Sequence, residues 1–206
     1  MKPFIRESGV AVALWRSNVD TDAIIPIEYC VNRKRPHFAE GLFHRWRFAA
    51  TGEARDFPLN EERHRNPVIL VAGENFGCGS SREMAVWALA DFGFRCVIAP
   101  SFGEIFFSNC FQNGLLPVRL PADDVAGLAE ELGAAAEPRL SVDLEDCRVR
   151  STSGKEFPFS VNELRRQALL EGLDPVSATL TRARAIDDFQ RRDRETRPWI
   201  YREETT

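Results

Sequence analysis

No apolar run in this chain approaches the ~20 residues that a membrane span needs. The opening residues, MKPFIRESGVAV, lack the apolar core of about 7–15 residues that marks a secretory signal. A cytoplasmic location is the default expectation. An excess of charge of one sign is also missing: 27 Lys and Arg stand against 31 Asp and Glu, for a formal net charge of −4. That balance gives no reason to expect nucleic acid or an anionic membrane as a partner. Histidine is scarce, and His37, His44 and His64 share no spacing that suggests a metal site, so all three read as surface or loop residues. The five cysteines, Cys30, Cys78, Cys96, Cys110 and Cys147, are odd in number and include no C-x-x-C pair. This argues against a disulfide framework and against a zinc or iron–sulfur site built from this chain alone. No repeat, low-complexity tract or linker divides the sequence, so residues 1–206 are expected to form one domain.

What is present is organised around residues 68–100. An apolar run, Val68-Ile69-Leu70-Val71-Ala72, leads into a loop carrying Gly73, Gly77 and Gly79. Ser80-Ser81-Arg82-Glu83 follows, then a helical stretch, Gly93 and a second apolar run, Cys96-Val97-Ile98-Ala99. The pattern reads as a β-loop-α-β unit. Ser80 and Glu83 have the S-x-x-E spacing of a capping box, with Ser80 as N-cap and Glu83 at N3. Ala85, Ala88, Leu89 and Phe92 recur at helical spacing and form the face expected to pack on a sheet. A helix start gathers unpaired N–H groups and the positive end of the macrodipole, and Arg82 adds a fork-shaped donor there. Two hydroxyls, a guanidinium and free N–H groups are thus placed to converge on one small anion. The same spacing also fits a plain capping box after a tight turn. Cys78, beside the helix start, reads either as a reactive thiol or as a small buried residue.

The flanking chain is less specific. Residues 10–14 read as a strand. Asn18-Val19-Asp20-Thr21-Asp22-Ala23-Ile24-Ile25-Pro26 sets two carboxylates and a threonine before a short apolar run, a pattern that an Asx-type turn with solvated acids also produces. Residues 29–36 form a basic loop whose Arg33, Lys34 and Arg35 suit either an acidic partner or plain solvation. Residues 41–48 suggest a short helix, and residues 51–67 a long polar surface loop. After the central unit come a helix ended by Asn113-Gly114 and a strand over 115–120, whose Pro117 suits either a sheet edge or an irregular strand. The succession β-α-β-α-β implies parallel strands with right-handed crossovers. A helix over 121–132, strands over 140–149 and 155–159, a helix over 162–170 ended by Gly172, and a charged helix over 182–194 complete the chain, and residues 203–206 are expected to fray.

Three stretches, in this order, resemble the small subunits of 3-isopropylmalate dehydratase, of the aconitase superfamily. They are NVDTDAIIP at 18–26, ENFGCGSSRE at 74–83 and IAPSF at 98–102. The resemblance runs through nearly the whole chain, including Gly172-Leu173-Asp174. It implies an α/β fold, the swivelling β/β/α domain that corresponds to the fourth domain of aconitase, with a parallel βαβαβ core and here a C-terminal helical extension. It also implies a division of labour. The large subunit of the family carries a 4Fe–4S cluster on three cysteines, the small subunit carries no cofactor, and together they form a hydro-lyase. That enzyme isomerises 2-isopropylmalate to 3-isopropylmalate by dehydration and rehydration, a step of leucine biosynthesis.

Carried over by motif, Ser80 matches the general base, and Ser81 and Arg82 match contacts to the carboxylate of a small dicarboxylate substrate. Thr21 and Asp22 lie near the same site, Asp22 as a residue that holds Arg82 or a neighbouring hydroxyl, and Glu83 joins them in support. The loop over 29–37 matches the segment that discriminates the substrate's side group, with Arg33 and Arg35 as candidate carboxylate ligands. The chain departs from the family at Met84, where histidine is usual. Relatives acting on other branched or methylated malates share the serine motif, so the small subunit of an alkylmalate or citramalate dehydratase is a second reading. A stand-alone module binding a dicarboxylate or phosphate is a third. A serine hydrolase fits poorly, because Gly79-Ser80-Ser81 is not a G-x-S-x-G elbow and no histidine is suitably framed.

Overall fold

The computed structural model describes residues 1–31 and 34–201. The apolar runs become strands β1 (Arg6–Leu14), β2 (Ile69–Ala72), β3 (Cys96–Ala99) and β4 (Leu116–Arg119). β1 pairs with β2, β2 with β3 and β3 with β4, all parallel. Helix α3 (Met84–Phe92) connects β2 to β3, and α4 (Glu104–Gln112) connects β3 to β4. On the other side of β1 the sheet continues antiparallel through β5 (Arg139–Asp143), β6 (Arg148–Ser151) and β7 (Glu156–Pro158), making seven strands in the order β4-β3-β2-β1-β5-β6-β7. β4 is therefore an edge strand, where the missing N–H of Pro117 is tolerated.

Every residue of β2 and of β3 is buried, as parallel strands covered on both faces must be. Their side chains alternate between two cores. Leu70, Ala72, Val97 and Ala99 meet Ala85, Ala88 and Leu89 of α3 on one face. Ile69, Val71, Cys96 and Ile98 meet Val125, Leu128 and Leu132 of α5 (Ala122–Ala134) on the other. Between β1 and β2 lie two short helices, α1 (Thr21–Ile24) and α2 (His44–Arg47), and after β7 come α6 (Glu163–Glu171), α7 (Pro175–Leu180) and α8 (Ala183–Thr196).

Three expectations are corrected. The strand expected over 140–149 is two strands, because the Asp143 carboxylate accepts hydrogen bonds from the N–H groups of Glu145 (2.9 Å) and Asp146 (3.1 Å) and turns the chain there. The segment expected as a surface loop over 51–67 folds back on the core through two 3-10 turns, Pro58–Asn60 and Glu62–His64. Phe57 and Leu59 are buried. His64 is buried too, not a surface residue, and its Nδ1 sits 2.7 Å from the Pro58 carbonyl oxygen.

Past the C-terminal ends of β1, β2 and β3 the loops stay side by side, with isolated parallel bridges from Asp20 to Cys78 and from Phe76 to Phe102. Gly77 sits at the tightest point. Its φ is +74°, and a Cβ there would lie 2.2 Å from the Phe106 ring. Gly52 also has a positive φ, +88°, but opens onto empty space. Gly77→Ala should therefore cost about 2–4 kcal/mol, from backbone strain plus overpacking, against about 1 kcal/mol for Gly52→Ala. Chemical denaturation of both variants tests this, and equal losses would contradict the packing account.

Candidate functional site

The capping box expected at Ser80 and Glu83 is not formed. Helix α3 begins at Met84, the position before it is Glu83, and no side chain caps it. Both members of the expected box have tertiary partners instead. Ser80 Oγ lies 2.7 Å from Thr21 Oγ1. The Glu83 carboxylate accepts from Asn113 Nδ2 at 2.8 Å, and Asn113 Oδ1 accepts from Trp87 Nε1 at 2.8 Å. Ser80, Ser81 and Arg82 thus run as an irregular segment ahead of the helix, with both serines exposed.

Thr21 reaches Ser80 because two loops are held in register. The Gly77 N–H donates to the Val19 carbonyl (2.7 Å), and the Thr21 N–H donates to the Cys78 carbonyl (3.0 Å). Asp20 caps α1, its Oδ1 accepting from the Ala23 N–H at 2.7 Å, so an Asx-type cap does occur here alongside the site. The next residue, Thr21, is 1% exposed. Asp22 points outward, and its Oδ1 accepts from Arg82 Nη1 at 2.6 Å. The same nitrogen donates to the Ile25 carbonyl at 2.9 Å. Nε and Nη2 of Arg82 have no partner among the described residues, nor do the backbone N–H groups of Ser80, Ser81, Arg82 and Glu83. Two exposed hydroxyls, one open guanidinium edge and a run of N–H groups without a partner among the described residues therefore share a small area at the C-terminal end of a parallel strand, where such sheets hold their ligands.

Sequence reasoning passed over three residues that tie these loops together. Asn75 Nδ2 donates to Asn18 Oδ1 at 2.8 Å, and the Asn75 N–H donates to Ser101 Oγ at 2.8 Å. Both asparagines are left-handed, with φ of 56° at Asn18 and 55° at Asn75, a region asparagine tolerates better than most residues. Their place in the three motifs was the signal available.

Residues 1–123 match the Aconitase C-terminal domain family, a span that holds every group of this cluster. The 3-isopropylmalate dehydratase small subunit of Cupriavidus necator is 50% identical over 205 residues, covering 98% of this chain and 99% of the relative. That of Rhodospirillum centenum is 48% identical over 200 residues, covering 97% and 98%. This chain belongs to the family of 3-isopropylmalate dehydratase small subunits. A crystal structure of 3-isopropylmalate dehydratase from Methanocaldococcus jannaschii matches it with a TM-score of 0.65 at 28% identity, covering 90% of this chain and 99% of that one. The fold is the α/β architecture of the aconitase C-terminal domain, with the parallel β2-α3-β3-α4-β4 unit at its core.

Arg35 and the Glu83 carboxylate, both singled out by the family resemblance, lie outside the cluster. Arg35 Nε donates to Asp91 Oδ1 at 3.0 Å, at the far end of α3 from Arg82, so the structure does not bring it to Ser80. Arg33 lies outside the described residues. Glu83 is turned to Asn113, as above, and Met84, the first residue of α3, packs against the core. Among the described residues no group of three or more His, Cys, Asp and Glu is placed to hold a metal ion, and no helix is long and apolar enough to cross a membrane.

Cys78 offers its carbonyl to Thr21 rather than an activated thiol. Burial pushes that thiol up, and the nearby Asp20 charge adds to the effect; burial also pushes up Cys30. Alkylation at Cys78 should therefore be slow at neutral pH and keep accelerating past the ordinary thiol value of about 8.5. Peptide-resolved alkylation rates across pH test this, and a plateau reached below that value would contradict the assignment.

Proposed function

We propose that this chain is the small subunit of a cytoplasmic two-component hydro-lyase that converts 2-isopropylmalate to 3-isopropylmalate, in leucine biosynthesis. It would work as one swivelling domain with a C-terminal helical extension, active only with a large subunit that carries the 4Fe–4S cluster. The dispersal of the five cysteines here, and the lack of a metal-suited group among the described residues, fit that division.

The observation that carries the reading is the Thr21–Ser80 contact beside the open edge of Arg82. Ser80 Oγ, as base, takes the proton from the substrate carbon next to a carboxylate while the hydroxyl on the neighbouring carbon leaves, to be released as water on the large subunit's side. In the rehydration water adds to the first carbon and the Ser80 hydroxyl delivers a proton to the neighbouring one. A serine alkoxide is costly at neutral pH. Once Ser80 has lost its proton, the Thr21 hydroxyl must be the donor in their 2.7 Å contact, and a buried donor to an anion favours the charged form. The N–H groups ahead of α3 and the Arg82 charge act in the same sense, in fixed positions that need no reorganisation. Arg82 Nε and Nη2 present a two-pronged edge to a substrate carboxylate, while Asp22 and the Ile25 carbonyl fix the guanidinium through Nη1. Exposed Ser81 stands next to both groups as a further donor.

The test is turnover of 2-isopropylmalate, and of a panel of alkylmalates including citramalate, by the chain combined with its large subunit. The chain alone should be inactive. Ser80→Ala should abolish turnover and cost about 1–3 kcal/mol of stability, because the buried Thr21 hydroxyl loses its partner. Thr21→Val should slow turnover roughly 10–100-fold through loss of a hydrogen bond to a charged group, and Thr21→Ser should retain most of it. Near-normal turnover by Ser80→Ala, or equal rates for Thr21→Val and Thr21→Ser, would overturn the roles of these two hydroxyls.

A further inference from the structure

Two arginines next to the site have no role in the chemistry of Ser80 and Arg82. Arg119 ends β4, opposite Ala99 of β3, and is exposed. Its guanidinium carbon lies 3.9 Å from the centroid of the Phe107 ring. Arg165 of α6 lies 5.6 Å from the same centroid and 4.9 Å from that of Phe111. Two cations are thus held within about 10 Å of each other, where like charges repel. Neither guanidinium has an ion pair or hydrogen bond with a described residue. The carboxylates nearest in sequence to Arg165 are engaged elsewhere: Glu163 pairs with Arg166, Glu171 accepts from Gln167, and Asp174 accepts from Ser177. Stacking on a phenyl ring uses the face of a guanidinium and leaves its N–H fork open. The pair is oriented and unneutralised, in a chain whose net charge is negative.

Its position decides what meets it. The Phe107 ring lies 5.6 Å from that of Phe102, and the Phe102 backbone bridges Phe76 in the loop that leads to Ser80. The arginine pair is therefore on the same C-terminal edge of the parallel strands as Ser80 and Arg82, further along from β2 towards β4. A subunit that presents substrate to Ser80 has to cover this edge. Beside the pair, Phe111, Leu164, Ala168, Leu173 and Pro175 line an apolar groove of about 310 Å³ between α4, α6 and α7, with Arg165 on its wall. Leu164 is 73% exposed there.

We infer that Arg119, Phe107 and Arg165 form a docking point for a segment of the large subunit that carries a carboxylate next to an apolar side chain. The carboxylate takes the two open guanidinium forks, and the apolar side chain enters the groove. This rests on the two-subunit reading above. Charge complementarity at such a rim speeds association, fixes register and makes assembly salt-dependent.

The experiment titrates large subunit with wild-type chain, Arg119→Glu, Arg165→Glu and the double Arg119→Gln/Arg165→Gln variant. Assembly is followed by sedimentation and by turnover, at low and high NaCl, with thermal unfolding of each free chain as the folding control. The glutamate variants should need roughly tenfold more chain for half-maximal turnover at low salt, yet reach the wild-type rate at saturation. The glutamine variant should lose most of the wild-type salt dependence of assembly. Unchanged half-saturation and salt dependence in folded variants would overturn the docking point. Unchanged assembly with a raised substrate KM would overturn it in favour of a small-anion site. Failure of the wild-type chain to assemble or turn over would instead remove the two-subunit reading, and the docking point with it.

Discussion

Thr21 is buried, and its hydroxyl has to be satisfied by the protein rather than by water. The partner it finds is Ser80 Oγ, in a different loop and 59 residues along the chain. This one requirement joins the stability of the fold to the geometry of the site. It depends in turn on the backbone bonds from Gly77 to Val19 and from Thr21 to Cys78, which carry the pairing of β1 and β2 past their ends. Those bonds require Gly77 to approach the Phe106 ring more closely than any side chain allows. Ser80, the proposed base, is thus fixed by strands and their backbone continuations, not by a loop alone.

The charges follow the same logic. Arg82 is mostly enclosed, with 13% of its side chain exposed, and two of its contacts go to the chain through one nitrogen. Asp22, which supplies one of them, is half exposed, so the pair gains little as a surface salt bridge. Its consequence is orientation: the remaining edge of the guanidinium is presented in one direction, beside the hydroxyl that Thr21 holds. The run of free N–H groups exists because the helix starts only at Met84, after the serines rather than at them.

Strands β2 and β3 were legible because their apolar runs are short, unbroken and rich in aliphatic residues. The run over 96–99 is β3, and Pro117 marks the edge strand. What failed did so for one physical reason, that a tertiary partner displaces a local pattern. Ser80 and Glu83 have ideal box spacing, yet Thr21 and Asn113 take them. His64 and Phe57 sit in a stretch without periodicity, and burial there comes from a fold-back that no 3.6- or 2-residue pattern announces. Arg35, which the resemblance gave as a candidate carboxylate ligand, meets Asp91, a carboxylate of this chain that spacing cannot bring near. The sheet's core could be read from composition and period; the chemistry proposed for Ser80 and Arg82 came from motif resemblance, and the Thr21–Ser80 contact from the structure alone.

Ser80, held by Thr21, is proposed to face the reacting carbon while Arg82 takes a carboxylate. A structure of the assembled two-subunit enzyme with an alkylmalate bound tests this most directly. The expected result is Ser80 Oγ within about 3–3.5 Å of the carbon that exchanges its proton, the Thr21 contact retained, and a substrate carboxylate on Nε and Nη2 of Arg82. A substrate whose carboxylates are held wholly by the large subunit, with Ser80 turned away from the reacting carbon, would contradict it.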